Sequence, residues 1–367
     1  MPSPQRVLII RPSALGDVCR SVPVLASMRR AWPGAVIDWL VRDTFADAVR
    51  HHPALSGVVE FPRSDLAAWW RSPGAARRLA GFQRGLARRR YELVLDCQGL
   101  ARSALFAAAT RAPRRVGYAD ARELGWLWIN ERVRAPRRSL HAVDRALRLV
   151  EHLGVEPVRD LRLYPPPAEL DAVRAEGRAG RGPYAVLAPT SRWPGKRWRA
   201  ERFAELARRL LDRGDVSGVL VVGGAGERAQ CGPLLDLAAR DARVVDLVGR
   251  TSVGGLMAIM HEAALVVAND SAALHMAVGL GRPLVGLYGP TDAALVGPYG
   301  REASVLQVRR AGDVADHKDE AAGRAMMDRI PVDAVLEAAG RELACRRGAP
   351  SGPPVDGPRA VLTGERA

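Results

Sequence analysis

Three loops of the sequence carry side chains that could do chemistry on a charged substrate. The first, Arg11 to Asp17, follows a short strand-like run, and Asp17 is its one carboxylate. A carboxylate in such a loop can act as a general base for an attacking hydroxyl, but aspartate here equally serves as a plain helix N-cap. The loop holds one glycine, Gly16, where a dinucleotide fingerprint places several. The first half of the chain is therefore not expected to hold a nucleotide.

The second loop presents hydroxyls and cations ahead of a predicted helix. It runs from Ala188 to Trp198 and includes Thr190, Ser191 and Lys196. Hydroxyls, an ammonium group and a helix N-terminus together hold phosphate oxygens. Lys196 is one of two lysines in an arginine-dominated chain, and a solvated loop lysine remains the alternative.

The third loop joins a buried strand to an alanine-rich helix. It places Asp270 and Ser271 at the helix start, where backbone amides attract an anion, with His275 one turn further on. A lone histidine is more often a hydrogen-bonded core residue than a ligand contact. Glu227 and Thr251 follow glycines in two further strand-end loops, and the convergence of four such loops predicts a nucleotide site in the second half.

The elements that position these loops alternate between strands and helices. Apolar runs at 6–11, 35–41, 57–61 and 93–96 are separated by helical stretches, and a second series starts at 184. This alternation predicts right-handed βαβ units and parallel sheets, an α/β fold. We expect a first domain at 1–165, a linker at 166–183, a second domain at 184–345 and a disordered Gly, Pro and Arg-rich tail at 346–367.

Charge is distributed unevenly along the chain. Residues 1–170 hold 28 basic and 16 acidic side chains, whereas residues 171–367 hold 27 and 24. The basic half suits a polyanionic partner, either a phosphorylated lipid, a membrane surface or a nucleic acid, and a solvated arginine-rich surface is equally compatible. With 5% aromatic residues and no recognisable binding module, a nucleic-acid partner is not expected.

The sequence also indicates where the chain resides. It shows neither a signal-peptide layout nor an apolar stretch of about 20 residues, so we expect a cytoplasmic protein. Its four cysteines lie far apart without a Cys-x-x-Cys pair, which favours reduced and mostly buried thiols. No histidine cluster has metal-ligand spacing, and neither a metal nor a cofactor is expected.

Taken together, these segments resemble glycosyltransferase family 9, the ADP-heptose:lipopolysaccharide heptosyltransferases, from Arg6 to about Gly340. The motifs that carry the resemblance are 13–17 (SALGD), 96–100 (DCQGL), 141–145 (HAVDR), 194–198 (PGKRW), 269–271 (NDS) and 288–292 (YGPTD). The stretches 52–55, 98–103 and 121–123 are more similar to heptosyltransferase I than to heptosyltransferase II.

The resemblance implies a GT-B architecture, in which two Rossmann-like, doubly wound domains face each other across a cleft. It also implies metal-independent transfer with inversion, and a C-terminal helix that packs back toward the first domain. The implied roles fall on the catalytic Asp17 and Lys196, on the donor-binding Thr190, Ser191, Glu227, Thr251, Asp270, Ser271 and His275, and on the acceptor-binding Ser13, Arg63 and Arg122. Ala272 departs from the glycine that many members carry, and 311–327 matches the family poorly.

The resemblance further implies that ADP-heptose is the donor and that the anionic Kdo-lipid A precursor is the acceptor. The enzyme would work in the cytoplasm, peripherally at the cytoplasmic face of the inner membrane, to which its basic half would be attracted. Two alternatives remain: a relative with another nucleotide sugar or acceptor, and a noncatalytic nucleotide- or nucleic-acid-binding protein.

Overall fold

The fold is built from two parallel six-stranded sheets with helices on both faces. In the computed structural model, the described residues are 3–63, 70–176, 182–310, 312–313, 316 and 318–348. The strands are β1 (Arg6–Ile10), β2 (Val36–Arg42), β3 (Gly57–Phe61), β4 (Leu93–Asp96), β5 (Arg114–Tyr118), β6 (Glu131–Val133), β7 (Tyr184–Ala188), β8 (Gly218–Val221), β9 (Val244–Asp246), β10 (Leu265–Asn269), β11 (Leu284–Tyr288) and β12 (Val305–Gln307).

The helices of the described residues alternate with these strands. They are α1 (Leu15–Arg20), α2 (Val22–Ala31), α3 (Asp47–Arg50), α4 (Pro73–Arg88), α5 (Ala101–Ala109), α6 (Ala142–His152), α7 (Pro167–Ala175), α8 (Ala200–Asp212), α9 (Gly232–Ala238), α10 (Val253–Glu262), α11 (Ala272–Gly279), α12 (Ala293–Val296), α13 (Glu320–Met327) and α14 (Val332–Gly348).

Both sheets have the same strand order. The first runs β3-β2-β1-β4-β5-β6 and the second β9-β8-β7-β10-β11-β12, with every pair parallel. This is the doubly wound Rossmann order, in which ligands bind where the order reverses, between the first and fourth strands of a sheet. The predicted α/β fold with two Rossmann-like halves is confirmed. The reversal points place the loops after β1, β4, β7 and β10 at the carboxyl edges.

The central strands form because they are continuous apolar runs. β1 and β10 are buried on both faces, as parallel strands covered by helices must be. A hydrophobic core extends from the first sheet into the second and includes Ile9, Val186 and Met257. The two halves are therefore joined by buried apolar contact as well as by the chain.

The structure adds detail to three sequence predictions, which concern the first helical stretch, the linker and the cysteines. The helical stretch predicted between the first two apolar runs is two helices, α1 and α2, which meet at Ser21, and Pro23 lies in the first turn of α2. Helix α7 lies within the predicted linker and packs on α10, where Glu169 accepts a hydrogen bond from Ser252 (2.9 Å). Of the cysteines, Cys19, Cys97 and Cys231 are buried and Cys345 is exposed, and all are free.

The C-terminal helix departs from the family expectation. The described buried side chains of α14, such as Val335, Leu336 and Ala339, belong to a core made of second-half residues, and they do not pack toward the first sheet. The predicted tail at 346–367 lies outside the described residues apart from the last turn of α14, 346–348. Within the described part of the chain, no helix has both the length and the apolar character needed to cross a bilayer.

Candidate active site

The site lies in a cleft of about 290 Å³ at the carboxyl edge of the first sheet, closed on one side by the second half. Ser13, Asp17 and Arg122 line it from the first half, and Leu295 and Val296 of α12 line it from the second. Among the described lining side chains Asp17 is the one carboxylate. The structure thus brings three of the sequence-predicted residues to one surface.

Asp17 is held by two arginines. It sits in the first turn of α1, and its carboxylate forms ion pairs with Arg11 (2.6 Å) and with Arg20. Burial alone would raise its pKa, but the two guanidinium groups outweigh burial and hold the pKa well below its usual range. Asp17 is therefore ionised at neutral pH. It is not the N-cap: that position is Ala14, whose N–H donates weakly to Asp17 (3.4 Å).

Arg20 connects this carboxylate to the other half of the molecule. While one of its nitrogens contacts Asp17, the other donates to the carbonyl oxygen of Val296 (3.0 Å). The guanidinium plane holds both partners at once. Arg20 was not predicted from the sequence, although its position one turn after Asp17 on the same helix is a usable signal.

Asp96, at the end of β4, fixes the second loop of the cleft. It is fully buried and accepts hydrogen bonds from the N–H groups of Gln98 (2.9 Å) and Gly99 (3.1 Å) and from the hydroxyl of Ser103 (2.9 Å). Burial raises its pKa to about 6 despite these donors. Gly99 has φ +68°, which the turn requires. The DCQGL motif is thus a loop scaffold.

Positive charge accumulates on the far wall of the cleft. Arg137 and Arg145 join Arg122 there, and burial together with the neighbouring Arg145 lowers the pKa of Arg137. Arg145 is buried, pairs with Asp120 (2.6 Å) and lies over the Tyr118 ring. The oxygen Oε1 of Gln98, also in the lining, is buried without a hydrogen-bond partner among the described residues. Such a wall suits an anionic, hydroxyl-bearing ligand.

The donor-side residues cluster at the end of the second sheet. Lys196 forms an ion pair with Asp270 (2.6 Å), and the hydroxyl of Ser191 donates to the backbone oxygen of Asp270 (3.4 Å). Thr190 is buried against Gly223. Asn269, at the end of β10, ties these loops together by accepting from Trp198 N (3.0 Å) and donating to Pro189 O (2.6 Å).

The remaining predicted donor residues border this cluster. Ser271 is the N-cap of α11, yet its hydroxyl is buried without a partner among the described residues. Glu227 accepts from the N–H of Gly224 (2.7 Å), and Thr251 is half-buried just before α10. A partnerless hydroxyl at a helix N-terminus is suited to an incoming anion.

His275 stands between the two clusters. It is 5% exposed, and a Cβ on Gly16 would lie 2.8 Å from its ring. Burial, and then the charge of Arg20, holds its pKa well below the usual value, with a smaller contribution from Lys196. His275 is therefore a neutral contact between α1 and α11. It links the neighbourhood of Asp17 to that of Lys196.

The structure does not bring every predicted residue to the site. Arg63 is exposed just after β3 and is absent from the described lining of the cleft, and 64–69 lie outside the described residues. Within the poorly matched segment, the described helix α13 packs through Gly323 directly on Gly195, beside Lys196. In the described part of the chain, no three His, Cys, Asp or Glu side chains are grouped to hold a metal ion.

Comparison with known proteins adds to this geometry. Residues 79–323 match the model of glycosyltransferase family 9 (heptosyltransferase). Lipopolysaccharide heptosyltransferase 1 of Escherichia coli K12 is 30% identical over 83% of this chain and 94% of its own length. The chain belongs to glycosyltransferase family 9. Identity to lipopolysaccharide heptosyltransferase 2 of the same strain is 25% over 83% of this chain and 92% of that protein, in agreement with the predicted similarity to heptosyltransferase I.

Solved structures agree with this family assignment. The E. coli heptosyltransferase WaaC with ADP-2-deoxy-2-fluoro heptose is 27% identical, with a TM-score of 0.71 over 92% of this chain and 99% of that one. The predicted GT-B architecture is confirmed. The iron-containing dodecameric glycosyltransferase TibC of E. coli shares the fold alone, at 13% identity and a TM-score of 0.56 over 94% of this chain and 78% of that one.

Proposed function

We propose that this family 9 glycosyltransferase transfers a heptose from ADP-heptose to the Kdo region of a lipopolysaccharide precursor, with inversion and without a metal ion. One observation carries the proposal. The carboxylate of the cleft, Asp17, comes from the first half, and the cation and hydroxyls suited to a diphosphate come from the second, with His275 between them. The names of similar relatives support a heptose and a lipopolysaccharide acceptor, and the ADP-heptose analogue bound to the similar WaaC structure supports the donor.

In the proposed reaction Asp17 accepts the proton of an acceptor hydroxyl, whose oxygen attacks the anomeric carbon of the heptose. The bond to the diphosphate breaks on the opposite face, and the configuration inverts. A carboxylate with a lowered pKa is a weak base, but the hydroxyl proton becomes acidic as the new C–O bond forms. The carboxylate then needs only to be ionised and in place, and Arg11 and Arg20 secure both conditions.

The departing ADP takes up negative charge, which the second half is arranged to stabilise. Lys196, held in position by Asp270, supplies a positive charge, and Thr190, Ser191 and the N-terminal amides of α11 supply hydrogen-bond donors. Preorganised donors of this kind lower a barrier by about 3 kcal/mol each. Glu227 and Thr251 are proposed to contact the remainder of the donor. No metal ion is needed in this scheme.

The acceptor is proposed to lie against the arginine wall. Arg122 and Ser13, joined by Arg137, would bind the carboxylates and hydroxyls of Kdo, because guanidinium groups pair with carboxylates through two parallel hydrogen bonds. Arg63 remains a prediction at this site. The basic first half supports peripheral attachment at the cytoplasmic face of the inner membrane.

A transfer assay tests the proposal. The protein is incubated with ADP-heptose, ADP-glucose or UDP-glucose, each with and without Kdo-lipid A and with and without EDTA. We expect transfer from ADP-heptose to Kdo-lipid A that EDTA leaves unchanged, and an NMR coupling constant that reports inversion at the anomeric carbon. Preference for another nucleotide sugar would overturn the proposed donor. Inhibition by EDTA would overturn metal independence, and retention of configuration would overturn inversion.

A further inference from the structure

The outer layer of the first half is basic, and several of its described arginines have no acidic partner. We call α4, α5 and the turn Gly125–Trp128 the α4–α5 layer. Residues 70–90, which include α4, hold seven arginines and no acidic residue. No described carboxylate pairs with Arg77, Arg84 or Arg88, whereas several exposed second-half arginines, among them Arg199, Arg209 and Arg243, are paired with acids. The layer therefore presents uncompensated positive charge to the outside.

The same layer also exposes apolar side chains. In the described part of the chain six large hydrophobic residues are exposed, and four of them belong to this layer or flank it: Trp70, Leu105, Leu124 and Leu127. Leu127, on the Gly125–Trp128 turn, is 53% exposed, and Leu124, immediately before the turn, is 60% exposed. Apolar side chains surrounded by arginines are the pattern of surfaces that lie in the interface of an anionic bilayer.

The turn is held rigidly at the edge of the cleft. A Cβ on Gly125 would lie 2.9 Å from the backbone of Leu100, so the turn lies flat on the start of α5. Leu100 and the neighbouring Arg122 both line the cleft. A bilayer that meets Leu124 and Leu127 would therefore face the side of the molecule where the acceptor enters.

We infer that the α4–α5 layer docks on an anionic phospholipid bilayer, with Leu124 and Leu127 entering the headgroup region and the α4 arginines contacting lipid phosphates. The choice of a bilayer over a nucleic acid rests on the proposed function, because a lipid-linked acceptor is presented at such a surface. It also rests on the exposed leucines, because apolar side chains gain nothing from contact with a charged phosphodiester backbone.

Vesicle sedimentation of the full chain tests the inference. The probes are phosphatidylglycerol–phosphatidylethanolamine vesicles and neutral phosphatidylcholine vesicles. One variant combines Arg77→Gln, Arg84→Gln and Arg88→Gln. A second combines Leu124→Asn and Leu127→Ser, where asparagine tolerates the φ of 59° at position 124 better than leucine does. The matched control combines Arg208→Gln, Arg240→Gln, Arg341→Gln and Val245→Ser on the second half.

We expect the wild type to bind anionic but not neutral vesicles, the arginine variant to lose roughly tenfold or more in partition coefficient, and the leucine variant to lose roughly fivefold. The control should bind like the wild type. Wild-type binding by both layer variants would overturn the inference. The inference would also be overturned if an RNA duplex displaced the protein from vesicles, and if the arginine variant lost RNA binding while the leucine variant kept it.

Transfer to a detergent-dispersed acceptor separates this inference from the proposed function. Both layer variants should keep wild-type transfer there, because no membrane is involved. Absence of transfer by the wild type would contradict the proposed function without affecting the conclusion from vesicle binding. Loss of transfer by the layer variants alone would mean that the layer belongs to the acceptor site, and it would overturn the docking inference.

Discussion

Asp17 combines a structural role with the chemical role proposed for it. It stabilises the first turn of α1, and it is also the carboxylate that faces the cleft. Its two arginine partners keep it ionised, and Arg20 ties it to Val296 across the cleft. The ionisation of the proposed base and the contact between the halves are thus coupled through the guanidinium group of Arg20.

The first prediction at this scale concerns Arg20→Gln. Removing its charge should raise the pKa of Asp17 toward its usual value. A base works only when ionised, so the acid limb of kcat/KM should move to higher pH in the variant, while the wild type keeps its activity to more acidic pH. Steady-state profiles measure the shift, and Arg20→Lys, which restores the charge, should reverse part of it. Superimposable profiles of wild type and Arg20→Gln would rule out this role.

A second prediction concerns His275. The pKa of His275 is lowered in the folded state. In the unfolded chain this histidine therefore binds a proton near pH 6.5, whereas in the folded chain it stays neutral at that pH. Stability should therefore fall as pH drops below about 6.5, by up to about 2 kcal/mol at pH 5 from this residue. Urea unfolding of His275→Gln at pH 7.5 and pH 5 should show a smaller loss than the wild type. Gly81→Ala, which changes no titratable group, is the control and should lose as much as the wild type.

At the scale of elements, the strongly apolar segments could be predicted and the marginal ones could not. The runs that became β1, β2, β4, β7 and β10 are buried on both faces and are recognisable as such. By contrast, β5 starts with Arg114 and Arg115 and the outermost β6 spans three residues, so neither has an apolar run to detect. The site loops were found because they follow the predictable strands. Arg137 and Arg145 were missed because their partner, Asp120, is distant in sequence. Arg20 lies three residues after Asp17, but its second partner, Val296, is distant in sequence.

An element-scale prediction follows from the contact of α1 with α11. In Gly16→Ala the new Cβ would lie 2.8 Å from the His275 ring and 3.3 Å from the Ala272 backbone. Because the Ala272 backbone cannot move easily, we expect α1 and α11 to separate. This would displace Asp17, and kcat/KM should fall roughly tenfold or more. Gly81→Ala, in open space on α4, is the control and should stabilise the fold by about 1 kcal/mol with unchanged activity. Equal activity of Gly16→Ala and Gly81→Ala would show that the contact between α1 and α11 does not matter for activity.

The whole molecule is two copies of one topology whose reversal points face each other. The repeated topology follows from the alternation of elements, and the facing of the two halves is what the family resemblance implies. The sequence could not reveal how closely the halves meet, because the joining core mixes residues such as Ile9, Val186 and Met257 from distant segments. Nor could it reveal that α13 packs on the Lys196 turn, which depends on two glycines in contact, Gly195 and Gly323.

The central claim is that one half supplies the base and the other holds the diphosphate, and the most direct measurement compares Asp17→Asn with Lys196→Gln. Calorimetric titration with ADP and steady-state transfer assays are performed on both. We expect Asp17→Asn to lose roughly a hundredfold or more in kcat while ADP binding stays near wild type, and Lys196→Gln to weaken ADP binding as well as turnover. Wild-type turnover by Asp17→Asn, or undiminished ADP affinity in Lys196→Gln, would contradict the division of roles.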